Sequence, residues 1–232
     1  MIQILHPIPV DSLRLYVFDM DGTLVDSRQD LCNSVNATLV NFGAATLPDE
    51  VIASYIGDGA AMLVRRALGD PDDEAYVQQA LLYFLTWYRA HKLDNTFAYL
   101  GVLDSLAAIY SHAQKSGGKL AVLTNKPVGP SVAICDALGI SPYLFQNYGG
   151  DSFHTKKPDP NALRTLMKEA GAKPEQTVMI GDSDVDVLTA RNAGAWSLGC
   201  TFGLAPERLA HAHADATVDH ASEWPAALGI KA

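Results

Sequence analysis

Two aspartates stand close together in the sequence, directly after a short apolar run. Asp19 and Asp21 follow residues 13–18, whose composition is typical of a buried strand, and Gly22 comes next. Since side chains alternate along a strand, both carboxylates are expected to project from the same side, about 7 Å apart. The carboxyl end of a buried strand is where α/β sheets bind their ligands. The pattern favours a functional pair, although a polar strand end entering an Asp-Gly turn gives the same sequence.

Further polar residues lie where other predicted strands end. They are Thr124 and Asn125 after residues 120–123, Lys156 and Lys157 in a basic loop before Pro158, and Asp182, Asp184 and Asp186 after residues 177–180. In a parallel sheet these strand ends meet at one edge. Clustered carboxylates suit Mg²⁺, which binds through carboxylates, waters and substrate phosphate. Ammonium, hydroxyl and amide donors suit phosphate oxygens, so the residues together predict a magnesium-dependent phosphate site.

The elements that position these residues change character along the chain. From residue 101 onward, helical patterns alternate with apolar strands, which predicts an α/β fold with a doubly wound parallel sheet. Residues 26–95 show apolar residues at helical spacing and no convincing strand. We therefore expect a Rossmann-like catalytic core formed by residues 1–25 and 100–232, with an all-helical domain inserted at residues 26–99. Within the insert, Asp26 and Ser27 are expected to cap the first helix, and Asp70 and Pro71 to open a longer one that contains residues 77–88.

Composition limits the possible partners and location. The 232-residue chain carries a formal charge of −9, which argues against nucleic acid or an anionic membrane as the main partner. Its three scattered cysteines lack metal-like spacing and predict a reducing compartment. The N-terminus lacks the features of a secretory signal. We expect a cytoplasmic protein, monomeric or homodimeric, that acts on a small phosphorylated metabolite.

Four motifs in order give the chain a resemblance to the haloacid dehalogenase superfamily. The family's DxDG(T/V) motif matches residues 19–23, its strand-terminal Thr or Ser matches Thr124, its Lys before Pro matches Lys157, and its GDxxxD motif matches residues 181–186. The helical segment after the first motif resembles the C1 cap of that family. The resemblance covers nearly the whole chain and implies that the cap closes over the site.

The resemblance implies separate catalytic roles for the first two aspartates. Asp19 is expected to attack phosphorus and form an aspartyl-phosphate, which divides a difficult hydrolysis into two steps. Asp21 is expected to protonate the leaving oxygen and then take a proton from the attacking water. The resemblance also implies Mg²⁺ held by Asp19, Asp182 and the main-chain carbonyl of Asp21.

The remaining motif residues are expected to bind phosphate or to support the residues that do. The resemblance assigns the phosphoryl oxygens to Thr124 and Lys157, with Asn125 supporting the phosphate loop. Lys156 is the competing lysine, and the position before proline favours Lys157. Asp186 is expected to orient metal-bound water or Lys157 from outside the metal site.

Other polar residues have ordinary interpretations. Asp184 is interpreted as a helix N-cap or a solvated charge. Asp58, Arg65 and Arg66 meet the substrate in one interpretation and lie on a solvated helix face in the other. Four aromatic residues are expected to be core of the helical insert rather than a surface that stacks on substrate: Tyr83, Phe84, Trp87 and Tyr88.

The substrate class follows from the resemblance. Because the family's dehalogenases lack the second aspartate, Asp21 favours a phosphatase. Residues 56–68 and 99–103 resemble bacterial phosphoglycolate phosphatases, although Leu100 stands where that group often has Pro and Asp159 where it often has His. The leading expectation is hydrolysis of 2-phosphoglycolate. Pyrophosphatase, nucleotidase and β-phosphoglucomutase activities remain alternatives, as does a phosphate-binding scaffold without turnover.

Overall fold

A seven-stranded, mostly parallel sheet forms the centre of the fold. The structure is a computed structural model that describes residues 1–230. The strands of the chain are β1 (Gln3–Ile4), β2 (Leu15–Phe18), β3 (Val25–Asp26), β4 (Phe97–Ala98), β5 (Lys119–Leu123), β6 (Gln146–Tyr148), β7 (Thr177–Gly181), β8 (Trp196–Cys200) and β9 (Ala216–Val218). The sheet order is β1-β9-β8-β7-β2-β5-β6, and only β1 runs antiparallel to its neighbour. The central strand β2 therefore lies between β5 and β7.

Helices cover both faces of this sheet and form the segment inserted after β3. They are α1 (Arg28–Asn41), α2 (Asp49–Ala53), α3 (Ala60–Ala67), α4 (Glu74–His91), α5 (Val102–Ser116), α6 (Val128–Ala137), α7 (Asn161–Ala170), α8 (Asp184–Ala193), α9 (Pro206–Ala212) and α10 (Trp224–Ala227). Within the described residues, no helix combines the length and apolar character needed to cross a membrane.

Successive side chains of β2 point to opposite faces of the sheet, and an apolar core lies on each face. Tyr16 and Phe18 belong to a cluster that includes residues of α5 and Trp224. Leu15 and Val17 belong to the opposite cluster, which includes residues of α7 and α8. All four side chains are fully buried because both faces are covered, as in other parallel sheets. The predicted α/β class with a doubly wound, mostly parallel sheet is confirmed.

The helical segment α1–α4 has an apolar cluster of its own. Leu39, Ile52 and Phe84 are among its buried members. At its base, β3 and β4 pair antiparallel, and the buried carboxylate of Asp30 accepts hydrogen bonds from the backbone of Asn95 and Thr96. These contacts join the start of the segment to its end. The domain boundaries expected at residues 26 and 99 stay a prediction.

The structure differs from the sequence expectation at the start of α4. The helix begins at Glu74, and Asp73 is its N-cap, with a carboxylate that accepts a hydrogen bond from the backbone N–H of Tyr76 at 3.0 Å. Asp70, the expected start, has φ +56° and donates its N–H to the carbonyl of Arg65. Because Asp70 completes the turn that follows α3, it cannot begin the next helix.

Candidate active site

A cleft lies between the carboxyl edge of the sheet and the helical segment. The sheet side supplies the polar lining and the helical segment supplies mainly apolar side chains. Five predicted site residues line the cleft: Asp19, Asp21, Thr124, Asn125 and Asp182. Lys157 and Asp186 lie beneath them and are also buried. The structure therefore brings every predicted site residue to one place.

Three of the carboxylates form a compact buried group. Oxygen atoms of Asp19, Asp182 and Asp186 lie within 4.8 Å of one another. The main-chain N–H of Asp19 donates to the carbonyl of Ile180, which ties the end of β2 to the end of β7 at 2.8 Å. One oxygen of Asp182 accepts backbone hydrogen bonds from Leu204 at 2.7 Å and from the next residue. The backbone of three separate loops thus fixes the group.

Glycines beside the aspartates allow this close packing. Gly22 has φ +84°, and a Cβ built on it would lie 2.1 Å from Oδ2 of Asp182. A Cβ on Gly181 would lie 2.2 Å from Cγ of Asp186. Since real Cβ atoms do not approach other atoms so closely, any side chain at either position would displace a carboxylate. The close packing of the carboxylates therefore explains why glycine stands at these two positions of the sequence motifs.

Lys157 is the cation nearest to the acidic group. Its Nζ lies 2.9 Å from Oδ1 of Asp19 and 2.5 Å from Oδ1 of Asp186. The other oxygen of Asp186 accepts hydrogen bonds from the backbone and hydroxyl of Ser183. Burial would lower the pKa of Lys157, but the two neighbouring carboxylates outweigh it and raise that pKa. Lys157 is therefore held as an ammonium ion.

The carboxylates are nevertheless in excess over cations. Burial, with a further contribution from Asp186 and against Lys157, raises the pKa of Asp19 from 3.8 to about 6. Burial, with further contributions from the carboxylates of Asp186 and Asp19, also raises the pKa of Asp182 well above its ordinary value. Beyond its ion contact with Lys157, Oδ1 of Asp19 is buried without a hydrogen-bond partner. An oxygen-only, anionic donor set of this kind fits a hard divalent cation.

Asp21 has partners different from those of Asp19. The ammonium of Lys126 lies 2.8 Å from each of its two carboxylate oxygens, and the Ser27 hydroxyl donates to Oδ1 at 2.5 Å. Strand β2 ends at Phe18, the Asp19 N–H continues its pairing with Ile180, and the chain turns after Met20. The two carboxylates nevertheless face the same cleft.

Lys126 was not identified from the sequence. It is 5% exposed and its ammonium also lies 4.8 Å from the ring centre of Tyr88 in α4. Burial would lower its pKa, but Asp21 reverses this effect and the pKa of Lys126 is raised. The available signal was a lysine placed between Asn125 and Pro127, directly after a buried strand. The local sequence does not indicate its role, because its partners Asp21 and Tyr88 lie far away in the sequence.

Thr124 and Asn125 are held by the loops around them. The Thr124 main-chain N–H donates to the carbonyl of Tyr148 at 3.0 Å, and its hydroxyl accepts from the Lys126 N–H at 3.3 Å. Asn125 Nδ2 donates to the carbonyls of Gly57 at 3.0 Å and Lys157 at 3.1 Å. Asn125 therefore connects the lysine loop to the helical segment.

The two helix caps expected from the sequence have different outcomes. Ser27 is the N-cap residue of α1 and the Asp26 carboxylate accepts from the N–H of Arg28 at 3.0 Å, as expected, while the Ser27 hydroxyl donates to Asp21. At α8 the N-cap is Ser183, which forms a capping box with Asp186. Asp184 is the first residue of that helix and accepts from Nε of Arg208 at 2.7 Å. The expectation that Asp184 is the N-cap is wrong, because Ser183 and Asp186 cap the helix and the Asp184 carboxylate binds Arg208 instead.

Comparisons with known proteins agree with this geometry. A family model described as haloacid dehalogenase-like hydrolase matches residues 16–200. A phosphoglycolate phosphatase of Pseudomonas putida is 40% identical over 198 residues, which make up 82% of this chain and 70% of the relative. One from Rhodospirillum rubrum is 35% identical over 210 residues, or 88% and 86% of the two chains. A crystal structure described as a predicted phosphoglycolate phosphatase from Haemophilus somnus superposes with a TM-score of 0.84 at 28% identity, covering 91% of this chain and 96% of the other. The resemblance inferred from the four motifs is confirmed.

Proposed function

The chain belongs to the family of haloacid dehalogenase-like hydrolases, and we propose that it hydrolyses a small phosphate monoester, with 2-phosphoglycolate as the substrate. The observation that carries this proposal is that Asp19 and Asp21 have separate partners in one cleft. Asp19 lies in the acidic group beside Lys157. Asp21 lies beside Lys126, on the side of the cleft that holds the leaving group in this proposal, which we call the leaving side. The relatives named phosphoglycolate phosphatase support the choice of substrate.

The first chemical step belongs to Asp19. Its carboxylate attacks phosphorus, the phosphorus–ester oxygen bond breaks, and Asp21 delivers a proton to the departing oxygen. Asp21 then takes a proton from a water molecule, whose oxygen attacks the phosphorus of the aspartyl-phosphate. This releases inorganic phosphate, restores the Asp19 carboxylate and returns Asp21 to its protonated form. Because both carboxylates line one cleft, the nucleophile and the proton donor are held in position against the same substrate.

We propose that Asp19, Asp182 and the main-chain carbonyl of Asp21 hold Mg²⁺. When bound, the ion supplies positive charge that reduces repulsion between carboxylate and phosphoryl group. The buried excess of carboxylates supports a divalent cation at this position. Asp186 orients Lys157, since it contacts that ammonium directly.

Two residues are assigned to the phosphoryl oxygens, and a third supports their loop. The Thr124 hydroxyl and the Lys157 ammonium donate to them, and Asn125 supports the loop. All three side chains are buried at the carboxyl edge of the sheet. Fixed donors in a water-poor site favour the transition state, since they do not reorganise during the reaction.

Residues 26–99 are proposed to act as a cap that covers the leaving side. Helices α1, α3 and α4, with Ile56 before α3, supply most of the apolar lining of the cleft, which supports this role. A cytoplasmic location and the choice between monomer and homodimer stay predictions.

The proposed function is tested with a panel of phosphate compounds at saturating Mg²⁺. The panel contains 2-phosphoglycolate, pyrophosphate, nucleoside monophosphates and β-glucose 1-phosphate, and Asp19→Asn serves as the inactive control. We expect the highest kcat/KM for 2-phosphoglycolate and no turnover by Asp19→Asn. A higher kcat/KM for another member of the panel would replace the proposed substrate. Absence of turnover on every compound would indicate a phosphate-binding scaffold.

A further inference from the structure

The leaving side of the cleft is walled mainly by apolar side chains. The helical segment contributes Leu31, Ile56, Leu63, Phe84 and Leu85 to this wall. Such side chains exclude water but cannot recognise a charged group. Any charged group on the leaving part of the substrate must therefore be bound by the few polar groups present there.

Lys126 is the one lysine or arginine that lines the cleft among residues 1–230. Two nearby cations are already engaged outside the lining. Lys157 lies between Asp19 and Asp186, and Arg208 lies between two carboxylates at the mouth of the cleft. Lys156 is exposed, with its ammonium near Gly59 but outside the lining. Among residues 1–230, Lys126 is therefore the lysine or arginine whose side chain lines the leaving side.

A second polar group lies beside Lys126. Tyr88 lines the cleft and is buried to 1% exposure, and its hydroxyl has no hydrogen-bond partner in the described part of the chain. Its ring centre is 4.8 Å from the Lys126 ammonium. A buried hydroxyl without a partner costs stability unless something binds it. The pair therefore forms a small polar patch in an apolar wall.

The position of Lys126 relative to Asp21 sets what this patch can reach. Nζ lies 2.8 Å from both carboxylate oxygens of Asp21. In the proposed reaction the ester oxygen lies about 3 Å from Asp21, so Nζ is within about 6 Å of it. In 2-phosphoglycolate one methylene carbon separates that oxygen from the carboxylate. Since an ammonium has three N–H donors, one remains beyond the two directed at Asp21.

We propose that Lys126, assisted by the Tyr88 hydroxyl, binds an anionic group on the leaving side of the substrate and so makes the enzyme prefer acidic phosphate esters to neutral ones. This inference rests on the proposed function, because it takes Asp21 as the residue that protonates the leaving oxygen. For 2-phosphoglycolate the anionic group is the carboxylate. The Ser27 hydroxyl, which also donates to Asp21, remains as a partner of that residue when Lys126 contacts substrate.

The test compares 2-phosphoglycolate with 2-hydroxyethyl phosphate, which replaces the carboxylate with a neutral hydroxymethyl group. The measured quantity is kcat/KM for 2-phosphoglycolate divided by kcat/KM for 2-hydroxyethyl phosphate. This ratio is determined for the wild-type protein and for Lys126→Met. We expect both esters to be hydrolysed more slowly by Lys126→Met, since Asp21 also loses a contact, and the ratio to fall about 10-fold or more. The control is Lys156→Met, which removes an exposed lysine near the site that does not line the cleft. Its ratio should equal that of the wild type.

Three results would overturn the inference and leave the proposed function standing. They are equal efficiency of the wild type on both esters, an unchanged ratio in Lys126→Met, and an equal fall of the ratio in Lys156→Met. If Lys126→Met does not fold, Tyr88→Phe decides: a ratio lowered about 2-fold to 5-fold supports the inference, and an unchanged ratio contradicts it. Failure of the wild type to hydrolyse either ester removes the proposed function and this inference together.

Discussion

The guanidinium of Arg208 contacts the carboxylate of Asp58, with Nη2 3.1 Å from Oδ1. Arg208 belongs to α9 on the sheet side, and Asp58 lies between α2 and α3 in the helical segment. Arg208 also contacts Asp184, and Asp58 also contacts Arg66. Burial opposes ionisation of Asp58, but the two guanidinium groups outweigh it and lower its pKa. This chain of charges joins the two sides of the cleft at its mouth.

Arg208→Gln should weaken the closed arrangement of the cleft. Because both side chains are partly exposed, water screens the pair and its contribution is about 0.2–1 kcal/mol. We expect KM to rise about 2-fold to 5-fold at low salt, with a smaller difference from the wild type at high salt. Arg66→Gln is the matched control, since it removes a partner of Asp58 within the helical segment only. Equal effects of the two variants would show that the link across the cleft has no separate role.

Lys157→Met should destabilise the folded protein strongly. The substitution leaves three buried carboxylates without their nearest cation, and breaking a buried pair in this way costs about 3–5 kcal/mol. Urea unfolding in the absence of divalent metal measures the loss. Lys156→Met, at the exposed neighbouring lysine, should change the free energy of unfolding by less than about 0.5 kcal/mol. Similar losses in the two variants would contradict the importance of the buried ion pairs.

The stability of the metal-free protein should depend on Asp19 between about pH 4 and pH 6. Burial raises the pKa of this carboxyl from 3.8 to about 6, so the folded state binds its proton more tightly than the unfolded chain does. The contribution of Asp19 to the free energy of unfolding therefore falls as the pH rises through this window. Asp19→Asn does not titrate, and its stability advantage over the wild type should grow across the window and then level off. An advantage that does not change with pH would contradict the raised pKa.

Magnesium should stabilise the protein through the acidic group. A ligand present at about 100 times its Kd adds about 2.7 kcal/mol when it binds only the folded state. We expect MgCl₂ to raise the melting temperature of the wild type and to have little effect on Asp182→Asn. Asp104→Asn, which removes an exposed carboxylate of α5, is the control and should keep the full increase. Equal increases in the two variants would show that the ion binds elsewhere.

The position of the cleft could be predicted from the sequence because it depends on local patterns. Apolar runs near residues 120 and 177 predict parallel strands, and parallel strands bring their carboxyl ends to one edge. Asp19, Thr124 and Asp182 therefore come together whatever the detailed packing. The shortest strands, β1, β3 and β4, could not be recognised, because two residues show no periodicity.

The missing parts of the site depend on contacts between distant segments. Lys126 acquires its environment from Asp21 and from Tyr88 in α4, and no local pattern indicates either contact. Arg208 lies in a region without a motif and gains its partner Asp58 from a loop on the opposite side of the cleft. Such ion pairs depend on tertiary packing, which the spacing of residues along the chain does not specify.

The central claim is that Asp19 carries the phosphoryl group during turnover. The most direct measurement is a rapid acid quench of the wild-type protein during hydrolysis of 2-phosphoglycolate with Mg²⁺, followed by borohydride reduction and peptide mass spectrometry. Reduction of an acyl phosphate converts the aspartate side chain to that of homoserine, so the product marks the residue that was phosphorylated. We predict homoserine at position 19 in samples quenched during turnover and none in samples without substrate. Hydrolysis at the full rate by Asp19→Asn, or the mark at another residue, would contradict the account.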